Sequence, residues 1–87
     1  MRIGFRIVKD SRFLRSTEIT DISEDTRTHK ILRALEEACR EFDLPRPIWL
    51  DSTIADFKRR HKTRFGQDSF IEELPFDWLE IEVLEED

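Results

Sequence analysis

A chain of 87 residues with 40% charged and 38% hydrophobic side chains is long enough for one domain, spanning 1–87, and too short for two. Its charges are of mixed sign and apolar residues interrupt them regularly, which excludes a disordered polyelectrolyte, and seven Phe and two Trp supply large buried areas to a small core. The single cysteine, Cys39, excludes an internal disulfide, and no apolar run is long enough for a signal peptide or a membrane span; the expected location is the cytoplasm, without a membrane partner.

The formal net charge of −5 hides an asymmetry. All 15 Lys and Arg lie in residues 1–67, while residues 68–87 carry carboxylates and no cation. A mildly basic body is therefore closed by an acidic segment.

Arg2 to Lys9 alternates as a half-buried strand, with Ile3, Phe5 and Ile7 on one face and Arg2, Gly4, Arg6 and Val8 on the other. Lys9-Asp10-Ser11 reads as a turn, and Phe13 to Thr20 completes a hairpin over 2–20. The facing of that second strand is ambiguous: Phe13, Arg15, Thr17 and Ile19 share a parity, and Leu14 has the other. A helix follows over about 23–42, capped by Asp21 or Ser23, with Ile31, Leu32, Leu35, Ala38, Cys39 and Phe42 recurring at spacings of three and four. Leu44-Pro45-Arg46-Pro47 stops it. Residues 47–50 can form a short edge strand.

A second helix is expected over about 52–64, capped by Asp51 or Ser52 and ended by Gly66. On a helix, Ile54, Phe57, His61 and Phe65 form one inward stripe. Ser69 and Glu72 have capping-box spacing for one further turn before Pro75. The final strand, 77–84, turns Leu79, Ile81 and Val83 inward and Glu80 and Glu82 outward. This order predicts an α+β fold: a two-layer sandwich with a small antiparallel sheet and both helices on one face. If the first and last strands are neighbours, Arg2 and Arg6 meet Glu80 and Glu82 on the open face.

The chemistry-bearing stretch is Lys58 to Arg64, KRRHKTR. Lys58, Arg59, Lys62 and Arg64 are the candidate partner- or phosphate-binding residues, and Glu80, Glu82, Glu85 and Glu86 the candidate acidic surface. The bland alternative for the first set is a solvated helix end whose cations complement the helix dipole. The second set has its own bland reading, a charged outward strand face and a solubilising tail. His61 reads as a core-edge residue. His29 reads as exposed, and Cys39 as a small buried hydrophobe. Asp51 and Ser52 are helix starters before they are an acid and a nucleophile. No spacing suits a metal, a cofactor or a catalytic triad.

Four pieces, DTRTHKI, EFDLPRPIWLD, KTRFGQDSFIEE and LEIEVLEED, are together similar to a group of short, uncharacterised proteins of about this length from anaerobic Gram-positive bacteria. The resemblance covers most of the chain from Asp25 onward and is weakest in the hairpin. It implies a complete stand-alone protein, and no catalytic or binding residue. It also singles out Lys62 to Asp68 as a unit, in which Arg64 and Asp68 can pair across a turn at Gly66 while Phe65 and Phe70 anchor the core.

The leading functional expectation is a non-enzymatic protein–protein interaction or regulatory module. Self-association, including a homodimer through a sheet edge or the open face, belongs to it. Nucleic-acid binding through the basic run 58–64 comes second, and a small enzyme third.

Overall fold

The computed structural model describes residues 1–87. The chain forms β1 (Arg2–Lys9), β2 (Arg12–Thr20), α1 (Arg27–Phe42), α2 (Asp51–Arg60), β3 (Lys62–Phe65), a 3₁₀ turn (Gln67–Ser69) and β4 (Trp78–Glu85). The four strands make one antiparallel sheet in the order β2-β1-β4-β3. Both helices lie on one face, giving the expected two-layer α+β fold.

The hairpin closes through Asp10 and Ser11, with φ of 51° and 64°. Lys9 pairs with Arg12, so this is a two-residue loop with both central residues left-handed, the type I′ arrangement that matches strand twist. Between β1 and β2 the register slips at Ile7/Val8, leaving Leu14 as the extra residue of a bulge. This resolves the ambiguity of β2. One inserted residue reverses the facing of everything beyond it. Arg15, Thr17 and Ile19 stand beside Ile7, Phe5 and Ile3 on the helix side, whereas Phe13 stands beside Val8 on the open side.

Helix α1 starts later than expected. Its cap is Thr26, whose Oγ1 accepts the His29 N–H at 3.2 Å. Asp21, Ser23 and Asp25 are occupied in local turns: the Ser23 N–H donates to Asp21 Oδ1, and the Thr26 N–H to Asp25 Oδ1. The helix buries Lys30, Ile31, Ala34, Leu35, Ala38, Cys39 and Phe42. Leu32, assigned to that stripe by spacing, is exposed.

Residues 47–50 join no strand. The Ile48 N–H donates to the Ser69 carbonyl at 2.7 Å. Trp49 packs edge-on against Phe57 and Phe65, with ring centroids 5.6 and 4.9 Å apart. The largest departure from expectation follows: α2 ends at Arg60, not Arg64. His61 takes a left-handed conformation, φ 57° and ψ 26°, and its N–H donates to the Phe57 carbonyl. Lys62 to Phe65 then pairs antiparallel with Glu82 to Leu79. Helical and strand readings both bury Phe65, so periodicity could not separate them; the free edge of β4 decides for the strand. Gly66 consequently ends no helix, and the chain makes its 3₁₀ turn at Gln67–Ser69 before the turn expected from Ser69.

One hydrophobic cluster occupies the layer between sheet and helices. Ile3, Phe5, Phe65, Leu79 and Ile81 from the sheet are fully buried against Ala38, Cys39 and Phe42 of α1 and Phe57 of α2. Phe70 and Phe76 close one end of it, edge to face at 6.5 Å.

Candidate interaction surface on the open face of the sheet

Because both helices cover the Ile3/Phe5/Ile7 side, the opposite face of the sheet has no second layer. Register arranges its residues in rows. Phe13, Val8 and Trp78 form one row; Ser16, Arg6, Glu80 and Arg64 the next; Glu18, Gly4, Glu82 and Lys62 the third.

The middle rows are an ion-pair lattice. Arg6 Nε lies 3.3 Å from Glu80 Oε2, and Arg6 Nη2 lies 2.5 Å from Glu82 Oε1. Lys62 Nζ takes the other oxygen of Glu80 at 3.0 Å. Arg2 reaches Glu18 at 2.7 Å and Glu85 at 4.0 Å. Arg6 thus meets Glu80 and Glu82 as alternation predicts, with β3 as a second cationic flank, whereas Arg2 pairs with Glu18 of β2 and Glu85 and with neither of those two. The pairs are half-buried at Arg6, Glu80 and Glu82 and exposed at Arg2, Glu18 and Glu85; an exposed pair contributes about 0–1 kcal/mol, and together they neutralise the centre of the face.

The first row differs. Phe13 is 63% exposed although it is a large hydrophobe, and Leu14 in the adjacent bulge is exposed too. The Arg6 guanidinium sits 5.2 Å from the Phe13 ring centroid and that of Arg64 4.4 Å from Trp78. Two aromatics, each topped by an arginine, therefore flank the buried Val8. Both guanidinium groups lie within cation–π reach of their rings. Aromatic and Arg side chains are the types concentrated where protein interfaces hold most of their binding energy.

The structure divides the basic run. Lys58 is exposed on α2 with no carboxylate at ion-pair distance. Arg59 and its neighbour Arg60 both bind Asp56, at 3.1 and 3.0 Å. The Asp56 carboxyl is held below its ordinary range: burial opposes this, but the Thr63 hydroxyl and the two arginines outweigh it. Lys62 and Arg64 stand on the sheet, separated from the helix by the turn at His61. Arg64 stacks on Trp78 and is not paired with Asp68. Of the acidic residues, Glu80 and Glu82 belong to the lattice and Glu85 to Arg2. Glu86 pairs with Arg27, the nearest contact being 3.0 Å from Arg27 Nε, which lowers its pKa.

His61 is not a core-edge residue: its side chain is 58% exposed, with Nδ1 3.0 Å from Arg27 Nη2 and 3.9 Å from Glu86. His29 is exposed beside Asp25. Cys39 is buried, and desolvation pushes its thiol up to about 11. Asp51 and Ser52 are exposed in the first turn of α2. No group of three or more His, Cys, Asp or Glu side chains is placed to hold a metal ion.

Phe13, Val8 and Trp78 do not stand out as a unit in the sequence. The outward facing of Trp78 was readable from its parity with Glu80 and Glu82; that of Phe13 was not, because the bulge reverses it. Comparison with family models, with curated proteins and with solved structures returns no match. No helix is long and apolar enough to cross a membrane.

Proposed function

We propose that the protein is a non-enzymatic protein–protein interaction module of the cytoplasm that binds its partner through the Phe13–Val8–Trp78 end of the open sheet face. The observation carrying this reading is that row itself: an exposed aromatic and a half-buried one, each under an arginine, on a sheet face with no covering layer. The resemblance to short bacterial proteins brings no activity with it, so geometry is the whole support. The ion-pair lattice beside the row favours a partner of mixed charge, since charge complementarity selects partners more than it adds affinity. It also weakens one route to self-association, the basic helix of one copy on the acidic strand of another, because Glu80 and Glu82 already hold Arg6 and Lys62.

Affinity capture from a nuclease-treated native extract tests the reading. A protein should be retained by the parent chain and lost with the Phe13→Ala/Trp78→Ala variant, provided circular dichroism shows that variant folded. Equal retention by both chains would move the binding surface elsewhere.

Nucleic-acid binding is the second reading, and Arg64 stacked on Trp78 beside Lys62 is the feature that favours it, since aromatics with flanking cations stack bases. Glu18, Glu80 and Glu82 on the same face oppose it by repelling phosphates. It predicts single-stranded RNA binding that weakens steeply with salt. Absence of binding at low salt would dispose of it. An enzymatic role has the least support: His61 meets Arg27 and Glu86, and neither Asp51 nor Asp68.

A further inference from the structure

Two further features of the surface lack an intramolecular explanation. The first is a groove of about 220 Å³ between α1 and α2, walled by Leu32, Ile54, Trp49 and Phe57, with Arg27 and Lys58 as its charged residues. Leu32 and Ile54 are large, apolar and exposed. Arg27 is held by Glu86, whereas Lys58 has no carboxylate partner. The groove is smaller than the ~300–1,000 Å³ of ordinary small-molecule sites. It suits one aliphatic side chain with an acidic neighbour.

The second feature has that chemistry. Ile71 is 92% exposed, in the loop before β4, and is followed by Glu72 and Glu73, both exposed and without a cationic partner. The loop is held in shape by Gln67: its Nε2 donates to the Glu72 carbonyl at 2.7 Å, and its Oε1 accepts the Leu74 N–H at 2.8 Å. A preformed loop loses less freedom on docking. Ile22 is equally exposed, at 90%, but Asp21 and Asp25 beside it are committed to Arg33 and only Glu24 is free, whereas Ile71 is followed directly by two free carboxylates.

We infer that the groove receives Ile71 of a second copy of this chain, with Glu72 or Glu73 of that copy on Lys58. The groove lies between the helices and shares no residue with the Phe13–Val8–Trp78 row, so the inference survives or fails independently of the function proposed above. If each copy docks its loop in the other's groove, the contact is made twice about a two-fold axis, the commonest form of self-association.

Sedimentation equilibrium over a wide concentration range at low salt tests this. The parent chain should associate. Ile71→Asp and Lys58→Glu should each weaken association at least about tenfold, corresponding to 1.4 kcal/mol, while Ile22→Asp leaves it unchanged. All three positions are exposed, so the variants should fold. Combining Lys58→Glu with Glu72→Lys and Glu73→Lys should restore association by exchanging the charges. A parent chain that stays monomeric throughout overturns the inference, as does an association that Ile71→Asp leaves intact.

Discussion

Four residues have left-handed backbone and none is glycine: Asp10, Ser11, Asp43 and His61. Asp and His tolerate that region better than most, and Ser11 is the least suited of the four. Neither glycine of the chain has positive φ, and Gly66, at φ −88°, has only the Asp77 carbonyl near the place a Cβ would occupy, at 4.0 Å. The two positions therefore call for opposite substitutions. Ser11→Gly should stabilise by about 0.5–1 kcal/mol through relief of the turn. Gly66→Ala should stabilise by about 0.4–1 kcal/mol through a less flexible unfolded chain. Urea midpoints at constant slope would measure both.

Arg33 ties down two carboxylates of the segment before α1. Asp25 is lowered to about 2, first by His29, then by the Thr26 N–H and Arg33; Asp21 is lowered further, first by the Ser23 hydroxyl and then by Arg33. Both are depressed in the folded state, so the unfolded chain binds more protons below pH ~4. Their contribution is present above that value and is lost as pH falls toward the folded values. An acid titration followed by circular dichroism should show unfolding in that window. Arg33→Met should move its midpoint upward, and a midpoint left unmoved would separate these pairs from stability.

At the scale of elements, β3 and the tail of β4 decide how the sheet meets the helices. Phe65 of β3 is fully buried in a four-residue strand. Phe65→Ala should cost about 3–5 kcal/mol, a large share of the ~5–15 kcal/mol that holds a domain together. The residue after Glu86 joins strand and helix more directly. Lys30 of α1 is only 2% exposed, and its Nζ lies 2.5 Å from Asp87 Oδ2, while the Met1 amino group donates to Asp87 Oδ1 at 2.6 Å. Removing Asp87 leaves a buried ammonium without its anion, whereas replacing Lys30 removes the desolvated charge itself. Asp87→Ala should therefore lower the urea midpoint more than Lys30→Met. The reverse order would show that Lys30 is solvated by other means.

For the molecule as a whole, the layered α+β plan was legible because apolar alternation in β1 and β4 and the three-and-four spacing of α1 each point to one element. Arg6 opposite Glu80 was legible for the same reason. The basic run was not, because Phe65 satisfies a helical stripe and a strand face equally, and only the free edge of β4 distinguishes them. The aromatic row depended on Leu14, a bulge residue whose insertion no parity count registers. What looked like a single cationic site at 58–64 is thus two surfaces facing different ways, and the acidic segment neutralises mainly β1, β3 and α1.

The two tryptophans make the binding surface directly measurable, because Trp78 lies in the open-face row and Trp49 in the helix groove. Titrating the captured partner into ¹⁵N-labelled protein and following the two indole N–H resonances reports which surface is used. Binding through the open face moves the Trp78 resonance with the partner and leaves that of Trp49 in place; movement of Trp49 alone would put the partner on the helices instead.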